Sequence, residues 1–402
     1  MEGQSPYTRD DFAHSPLLVF YETTRACDLA CRHCRADAQV RRHPGELTTL
    51  QARRLIAELT VFPRPPLLVF TGGDPLKRAD VFELVSHASE LGLATAMTPS
   101  ATPLVTPEAI SRLKFSGLHR LAVSLDGATA RTHDRFRRVR GSFVRTLEIV
   151  RAAHGCGLPV QVNTTLASHN LGELDAMAQV LAALPGVVMW SVFFLVPTGR
   201  AADPGAADVT RLSADEAEAA FATLWRHARR QPYAVKTTEA PHYRRFVAQK
   251  VAALRRESPD PPGGPFVPGG RPGPAAAAPH FVGTNDGKGV VFVGHTGEIF
   301  PSGFLPIHCG RFPFDSVVQV YQKAALFRAL RDPDRLGGKC GACEFRGVCG
   351  GSRARAFAVS GDPLGEEPDC AYVPRGWAGP PAGRVGRGRG QGQGLGQGVT
   401  TC

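Results

Sequence analysis

The chain has 402 residues, 43% of them hydrophobic and 21% charged, which suits a globular protein with a sizeable core and excludes a disordered chain or a small disulfide-held scaffold. Of the formal charge of +11, four arginines belong to the acid-free tail after Cys370, leaving +7 for the rest; no basic stripe interleaved with aromatics accompanies it, so anionic small molecules suit the charge at least as well as nucleic acid. The opening MEGQSPYTRDDFAHSP lacks the apolar centre of a signal peptide and no run of about 18 apolar residues follows, so no membrane span is expected and a cytoplasmic location is.

From residue 17 short apolar runs alternate with amphipathic stretches, the pattern of βα units around a parallel sheet. Strands are expected at 17–24, 67–73, 93–100, 119–127, 159–167 and 187–196. The helices between them are TLQARRLIAELTVF, ADVFELVSHASELG, TPEAISRLKFSG, SFVRTLEIVRAAHGCG and NLGELDAMAQVLAALPG, several opening on Thr, Ser, Asn or Asp and closing on Gly. Six βα units without two-half symmetry give an α/β class and a partial (β/α)6 TIM-like barrel. Function in such folds gathers at the carboxyl ends of the strands, where CDLACRHC, TGGDP, TPS and SLDG all fall.

A helix near 213–230, a short strand YAVKTTEA and a helix from Pro241 to about Arg256 come next. Residues 258–280 read as a Pro/Gly/Ala linker. Residues 281–373 read as a separate small unit that opens with a hairpin, GKGVVFVGHTGEIFPSG, and has a helix near 316–331. Residues 1–16 form an N-terminal extension, and 374–402 a low-complexity Gly/Arg-rich tail expected to be disordered, with Cys402 a free thiol.

Ten cysteines in a reducing compartment point to metal rather than to disulfides. Cys27, Cys31 and Cys34 form C-x3-C-x2-C directly after the first strand; Cys340, Cys343, Cys349 and Cys370 form C-x2-C-x5-C-x20-C. Four thiols close a tetrahedral site, so the second set also fits a structural zinc. Three do not, and the next forty residues offer only His33 and His43 as local ligands. On a four-iron cluster, three thiolates leave one iron open.

C-x3-C-x2-C after the first strand of a partial barrel, with His33 just before the last cysteine, resembles the radical S-adenosylmethionine (SAM) superfamily. The resemblance implies that Cys27, Cys31 and Cys34 hold a catalytic [4Fe–4S] cluster whose fourth iron receives SAM. Thr71, Gly72, Gly73 and Asp74 resemble the superfamily's Gly-Gly-Glu loop for the SAM amino group, with Asp74 where Glu is commoner. SLDG followed by THDRFRRVRGSF resembles the fourth-strand region of the subgroup with an auxiliary-cluster domain. It implies Ser124 and Arg137 for the SAM carboxylate, with Arg135, Arg138 and Arg140 as competitors, and Asn163 for the ribose.

The second cysteine set with its upstream hairpin resembles a SPASM or Twitch-type iron–sulfur domain, implying that Cys340, Cys343, Cys349 and Cys370 hold an auxiliary [4Fe–4S] cluster. Cys309 is expected to be an unpaired thiol. The spacing, with KTTEAPHYRR (236–245), resembles the radical SAM enzymes of heme d1 formation and of siroheme-dependent heme formation over residues 15–373.

That resemblance implies an oxidoreductase or lyase that cleaves SAM to a 5′-deoxyadenosyl radical, abstracts hydrogen from a substrate, and draws electrons from a partner such as flavodoxin or ferredoxin. The expected substrate is a heme-precursor tetrapyrrole, met by His242, Arg244 and Arg245. Two rivals remain: a radical SAM maturase of a ribosomal peptide or protein, and a non-enzymatic zinc protein.

Overall fold

Eight parallel strands wrap in one open sheet, and their alternating side chains decide which face is core and which is lumen. The computed structural model describes residues 7–203, 209–257 and 283–379; the expected linker 258–280 and tail residues 380–402, with Cys402, lie outside them. In chain order the strands are β1 (Leu18–Thr24), β2 (Leu67–Gly72), β3 (Thr95–Met97), β4 (Arg120–Ser124), β5 (Val160–Leu166), β6 (Val187–Phe194), β7 (Ala234–Thr238), β8 (Val290–Val293), β9 (Glu298–Phe300) and β10 (Gly310–Arg311). They are ordered β10-β9-β8-β1-β2-β3-β4-β5-β6-β7, with β8 to β7 all parallel and β9 and β10 antiparallel.

The helices are α1 (Asp11–His14), α2 (Thr49–Leu59), α3 (Val81–Glu90), α4 (Pro107–Phe115), α5 (Ala130–Arg137), α6 (Ser142–Gly155), α7 (Leu174–Ala182), α8 (Ala214–Ala228), α9 (His242–Glu257), α10 (Val317–Lys323), α11 (Ala325–Arg331), α12 (Gly338–Ala342) and α13 (Arg353–Ser360). Capping boxes at Thr48/Gln51 and Ser213/Glu216 set the starts of α2 and α8. None of the described helices is long and apolar enough to cross a membrane.

All six expected strands form, the third only over its middle. The expected separate unit differs: its first strand, β8, pairs with β1 from Leu18↔Val290 to Tyr21↔Val293, so the hairpin completes the barrel sheet instead of folding beside it. YAVKTTEA likewise becomes a seventh barrel strand against β6. The single helix expected near 316–331 is two, because Ala324 takes an extended conformation between them.

Val19, Tyr21, Phe70, Leu121, Val162, Trp190, Val235 and Val291 share one core with the helices outside the sheet. The alternate residues of each strand face the other way, into the lumen. There the burial pattern of β5, buried and half-buried in strict alternation, marks Gln161, Asn163 and Thr165 as lumen residues.

The C-terminal unit is locked to the barrel by a buried ionic joint. Arg355 on α13 donates from Nη1 to both carboxylate oxygens of Glu367 at 3.0 and 3.1 Å and pairs through Nε with Asp369 at 3.1 Å. It also donates to the backbone oxygens of Phe194 (3.3 Å) and Glu239 (2.7 Å) at the ends of β6 and β7. Removing one partner of such a network strands the other charges. Arg355→Met should therefore destabilise the protein by about 3–5 kcal/mol in denaturant unfolding, and Arg355→Lys should restore little because one ammonium cannot reach the two acids and the two carbonyl oxygens that the three guanidinium nitrogens span. Loss below about 1 kcal/mol would show that the joint does not carry the interface.

Candidate functional site

The loop after β1 cannot hold its shape alone; the loop after β2 holds it. Gly73 N–H donates to Thr24 O at 2.8 Å and Asp74 N–H to Ala26 O at 2.7 Å, extending the parallel pairing past the strands into the CDLACRHC segment. The approach is so close that a Cβ on Gly73 would lie 2.4 Å from Ala26 O, and one on Gly72, at φ +147°, would lie 2.2 Å from Thr24 O. Only glycine fits at either place.

Asp74 is fully buried, and its carboxylate is bonded within the protein. It accepts from Thr102 Oγ1 at 2.6 Å and from Leu76 N–H at 3.2 Å, and burial raises its pKa. The carboxylate expected near the SAM ammonium thus also fixes the turn.

Cys27 and Cys31 are buried and Cys34 is half-buried in one small cluster with Leu29 and Ala38. Backbone N–H groups of Leu29 and Ala38 donate to Cys27 Sγ and Cys34 Sγ at 3.3 and 3.4 Å. Ser100, from the loop after β3, donates to Gly73 O at 2.8 Å with its hydroxyl 3.3 Å from Cys27 Sγ. The thiols lie within electrostatic reach of one another: negative charge on Cys34 raises the pKa of both Cys27 and Cys31. Burial raises Cys27 and pushes Cys31 up to about 11.

Arg137 opposes that effect at Cys31. Its Nη1 lies 3.7 Å from Cys31 Sγ and its Nε 2.6 Å from Asp126 Oδ2. Burial alone would raise Asp126, but Arg137 and neighbouring donors hold it below the usual carboxylate range. Among the four candidate arginines, Arg137 is the one recorded at a thiol. Arg138 caps α5 at φ +57° and Arg140 is exposed. Arg135 lines an outer hollow with Arg131, Phe136 and Glu173.

The sequence reading missed α5 altogether, because ARTHDRFR is too polar to show an apolar stripe. Its Phe136 stacks on His33 (centroids 4.2 Å apart, 1° between planes) and on His169 (4.3 Å, 26°). Burial pushes the His33 pKa down to about 3, so a neutral ring sits beside the thiols.

Ser124 and Asn163 are register partners on β4 and β5, half-buried and facing the lumen. The Asn163 Oδ1 accepts from Gln161 Nε2 at 2.7 Å, which leaves its amide N–H groups for a ligand.

The second thiol set is built differently. Cys340, Cys343, Cys349 and Cys370 together line one small hollow, with His242, Arg245, Lys339 and Glu367 around it. Burial pushes Cys349 up to about 12 and raises Cys343 and Cys370. Arg353 Nη2 lies 3.7 Å from Cys340 Sγ, repeating the Arg137–Cys31 contact. Among the described residues no three His, Cys, Asp or Glu side chains close on a point that would suit a single ion; a cubane spreads its ligands over separate irons.

His242 and Arg245 therefore do not meet the barrel's open end as expected. They sit three apart on one face of α9, toward the second thiols, and Arg245 is ion-paired with Glu218. Arg244 lies on another face, donating to Thr284 O at 2.5 Å and Val348 O at 3.4 Å. Cys309, expected to be unpaired, is disulfide-bonded.

Three buried histidines make acid destabilising. Burial lowers His33 to about 3 and His133 and His242 to about 4, while the unfolded chain binds these protons near pH 6.5. Their contribution to stability is intact above that pH and is lost as pH falls from about 6.5 toward 4, because unfolding then takes up protons. Denaturant unfolding at pH 7.5, 6 and 5 should show this fall. His133→Asn should flatten it by about one proton's worth, since His133 Nδ1 accepts from Asp126 N–H at 3.0 Å only when neutral; an unchanged slope would contradict the assignment.

Comparison with known proteins places this geometry. Residues 21–181 match the model of the radical SAM superfamily. The AdoMet-dependent heme synthase of Nitratidesulfovibrio vulgaris is 38% identical over 375 residues, 93% of this chain and 97% of that one. The pre-heme d1 synthase of Dinoroseobacter shibae is 29% identical, over 88% of this chain and 85% of that one. In fold, SuiB of Streptococcus suis bound to S-adenosylmethionine is similar, with a TM-score of 0.64 at 15% identity, covering 89% of this chain and 78% of that one. With the cysteine loop, the parallel sheet and near-complete coverage in agreement, the chain belongs to the radical SAM superfamily and is an enzyme whose cofactors are a [4Fe–4S] cluster and S-adenosylmethionine.

Proposed function

We propose that this enzyme modifies the carboxylate-bearing side chains of a heme-precursor tetrapyrrole. The observation that carries the reading is the 38% identity along 97% of an AdoMet-dependent heme synthase, which extends through the second thiol set as well as the barrel.

In this reading Cys27, Cys31 and Cys34 hold three irons of the catalytic cluster. Bound there, that cluster supplies the electron for reductive cleavage of SAM, and with it the 5′-deoxyadenosyl radical that takes hydrogen from the substrate. The chain's own residues do the rest. Arg137, neutralised on one side by Asp126, stabilises the Cys31 thiolate by a charge-assisted contact. Gly72 and Gly73 bring backbone rather than side chain against the cysteine loop, and their carbonyls with the Thr71 hydroxyl suit an ammonium. Asp74 keeps that loop rigid. Ser124 and Asn163 offer a hydroxyl and an amide from adjacent strands to SAM, and the flat His33–Phe136 stack offers an apolar edge to its adenine.

Cys340, Cys343, Cys349 and Cys370 are proposed to hold the auxiliary [4Fe–4S] cluster. The support is their shared hollow and four-fold thiol supply. Raised thiol pKa values mean that protons must leave as metal enters, so loading of both sites should weaken as pH falls. A reducing partner such as flavodoxin or ferredoxin would deliver the electron.

Anaerobically reconstituted protein should bind about eight irons, four per site, and release 5′-deoxyadenosine from SAM with dithionite. Replacing Cys27, Cys31 or Cys34 by Ala should abolish that release. Replacing Cys343 or Cys349 by Ala should lower the iron to about four per chain and leave release measurable. Mass spectrometry after incubation should show a mass change in a propionate-bearing tetrapyrrole. A change in a precursor peptide instead would replace the substrate, and a colourless zinc-loaded protein without 5′-deoxyadenosine release would overturn the reading altogether.

A further inference from the structure

Two cations of the lumen wall, Lys236 and Arg120, have no ion-pair partner among the described residues. Lys236 lies at the middle of β7, in register with Ser191 on β6, which is in register with Asn163 on β5 and, through it, Ser124 on β4. Its neighbour Val235 belongs to the outer core, so alternation turns Lys236 inward to the level of Asn163 and Ser124. Arg120 opens β4, and its neighbour Leu121 is likewise core, which puts Arg120 on the same inner wall. Both are half-buried, with no side-chain hydrogen bond or ion pair among the described residues.

Two more cations stand near. Arg244, on α9, spends its donors on the carbonyl oxygens of Thr284 and Val348, and the negative partner that acts on its charge is the Cys349 thiolate of the second set. Lys288 just precedes β8 and is half-buried. Desolvation, then the charges of Arg244 and Arg120, push Lys236 down to about 8; desolvation, then Arg244 and Arg9, push Lys288 to about 8. Among the described residues no negative group acts on Lys236 or Arg120, whereas Arg244 and Lys288 both face the Cys349 thiolate. Elsewhere the chain pairs its enclosed cations: Arg137 with Asp126, Arg355 with Glu367 and Asp369, Arg78 with Asp80. Enclosed charge without a counter-ion is costly, and a fold that sets acids against Arg137, Arg355 and Arg78 leaves Lys236 and Arg120 open.

We infer that Lys236 and Arg120 form an anion-receiving wall of the barrel lumen that binds carboxylate groups of the substrate. The ligand class is a small molecule with two or more separated carboxylates. This deepens the tetrapyrrole reading and rests on it: Lys236 shares a strand layer with Ser124 and Asn163, so a carboxylate it holds places the adjoining carbon chain beside the proposed SAM site. Lys236 and Arg120 would be specificity residues, and the apolar macrocycle would be held elsewhere.

The test is an anaerobic absorbance titration of the full-length reconstituted enzyme with a porphyrin bearing four carboxylates and with its tetramethyl ester. The wild type should bind the acid at least about tenfold more tightly than the ester, as expected for losing one charge-assisted contact. Lys236→Met should lose at least about tenfold for the acid and nothing for the ester, and Lys236→Arg should stay within about threefold of wild type. Arg120→Met gives an independent loss of the same sign. The unliganded Lys236→Met protein should melt no lower than wild type, because an unpaired enclosed charge has been removed; a purely structural lysine would lower it. Equal affinity of wild type for acid and ester, or equal affinity of wild type and both Met variants for the acid, overturns the inference while leaving the tetrapyrrole reading standing. If the wild type binds neither porphyrin but binds an acidic peptide in a Lys236-dependent way, the wall stands and the tetrapyrrole reading falls.

Discussion

The site depends on one close backbone approach, between the loop that ends β2 and the segment that leaves β1. Two hydrogen bonds, Gly73 N–H to Thr24 O and Asp74 N–H to Ala26 O, carry the parallel register past the last strand residue. The glycines make the distance attainable, and the buried Asp74 carboxylate, satisfied by Thr102 and the Leu76 N–H, makes the turn rigid. Because Gly73 O also accepts from Ser100, three successive βα loops converge on Cys27. A loop of eight residues with three thiols would otherwise have many conformations of similar energy.

Electrostatics then follow a repeated device. Each thiol set is desolvated, which favours neutral thiols, and each has a buried arginine 3.7 Å from one sulfur, Arg137 at Cys31 and Arg353 at Cys340. The arginine favours the thiolate and lowers the cost of gathering negative charge as metal binds. Its own burial is offset locally, by Asp126 in one case and by the carbonyl oxygens of Gly365 and Pro363 in the other. The two sets are joined by strand β8, which belongs to the C-terminal unit yet sits beside β1, the strand that leads to the first set. The unit is thus positioned by main-chain hydrogen bonds and the Arg355 joint.

Much of this was legible in the sequence, for identifiable reasons. Strands β1, β2, β5 and β6 announce themselves because both faces are largely apolar or strictly alternating, and the cysteine spacings need no fold to be read. Other features depend on partners far along the chain. Helix α5 buries only His133 and Phe136, the latter between two histidine rings, so a single apolar residue marks its inner face. RARAF at 353–357 looks like solvent-exposed charge, yet Arg353 and Arg355 are buried, since their partners, the carbonyl oxygens of Pro363 and Gly365 for Arg353 and the acids Glu367 and Asp369 for Arg355, arrive ten or more residues later. His242 and Arg245 were expected at the substrate and lie at the second thiols; composition could not say which face of α9 meets which site. The role of Lys236 was hidden for the same reason: only the register of β7 against β6 shows that it points inward.

The account rests on a cluster held at three corners, with its fourth iron open to SAM. The most direct measurement is electron paramagnetic resonance of dithionite-reduced protein in which the second set is removed (Cys340, Cys343, Cys349 and Cys370 to Ala), recorded with and without SAM. The account expects a reduced [4Fe–4S] signal whose g-values shift when SAM is added, because the sulfonium's amino acid end enters the coordination of one iron. A signal unchanged by saturating SAM would mean that the fourth corner is already taken and would contradict it.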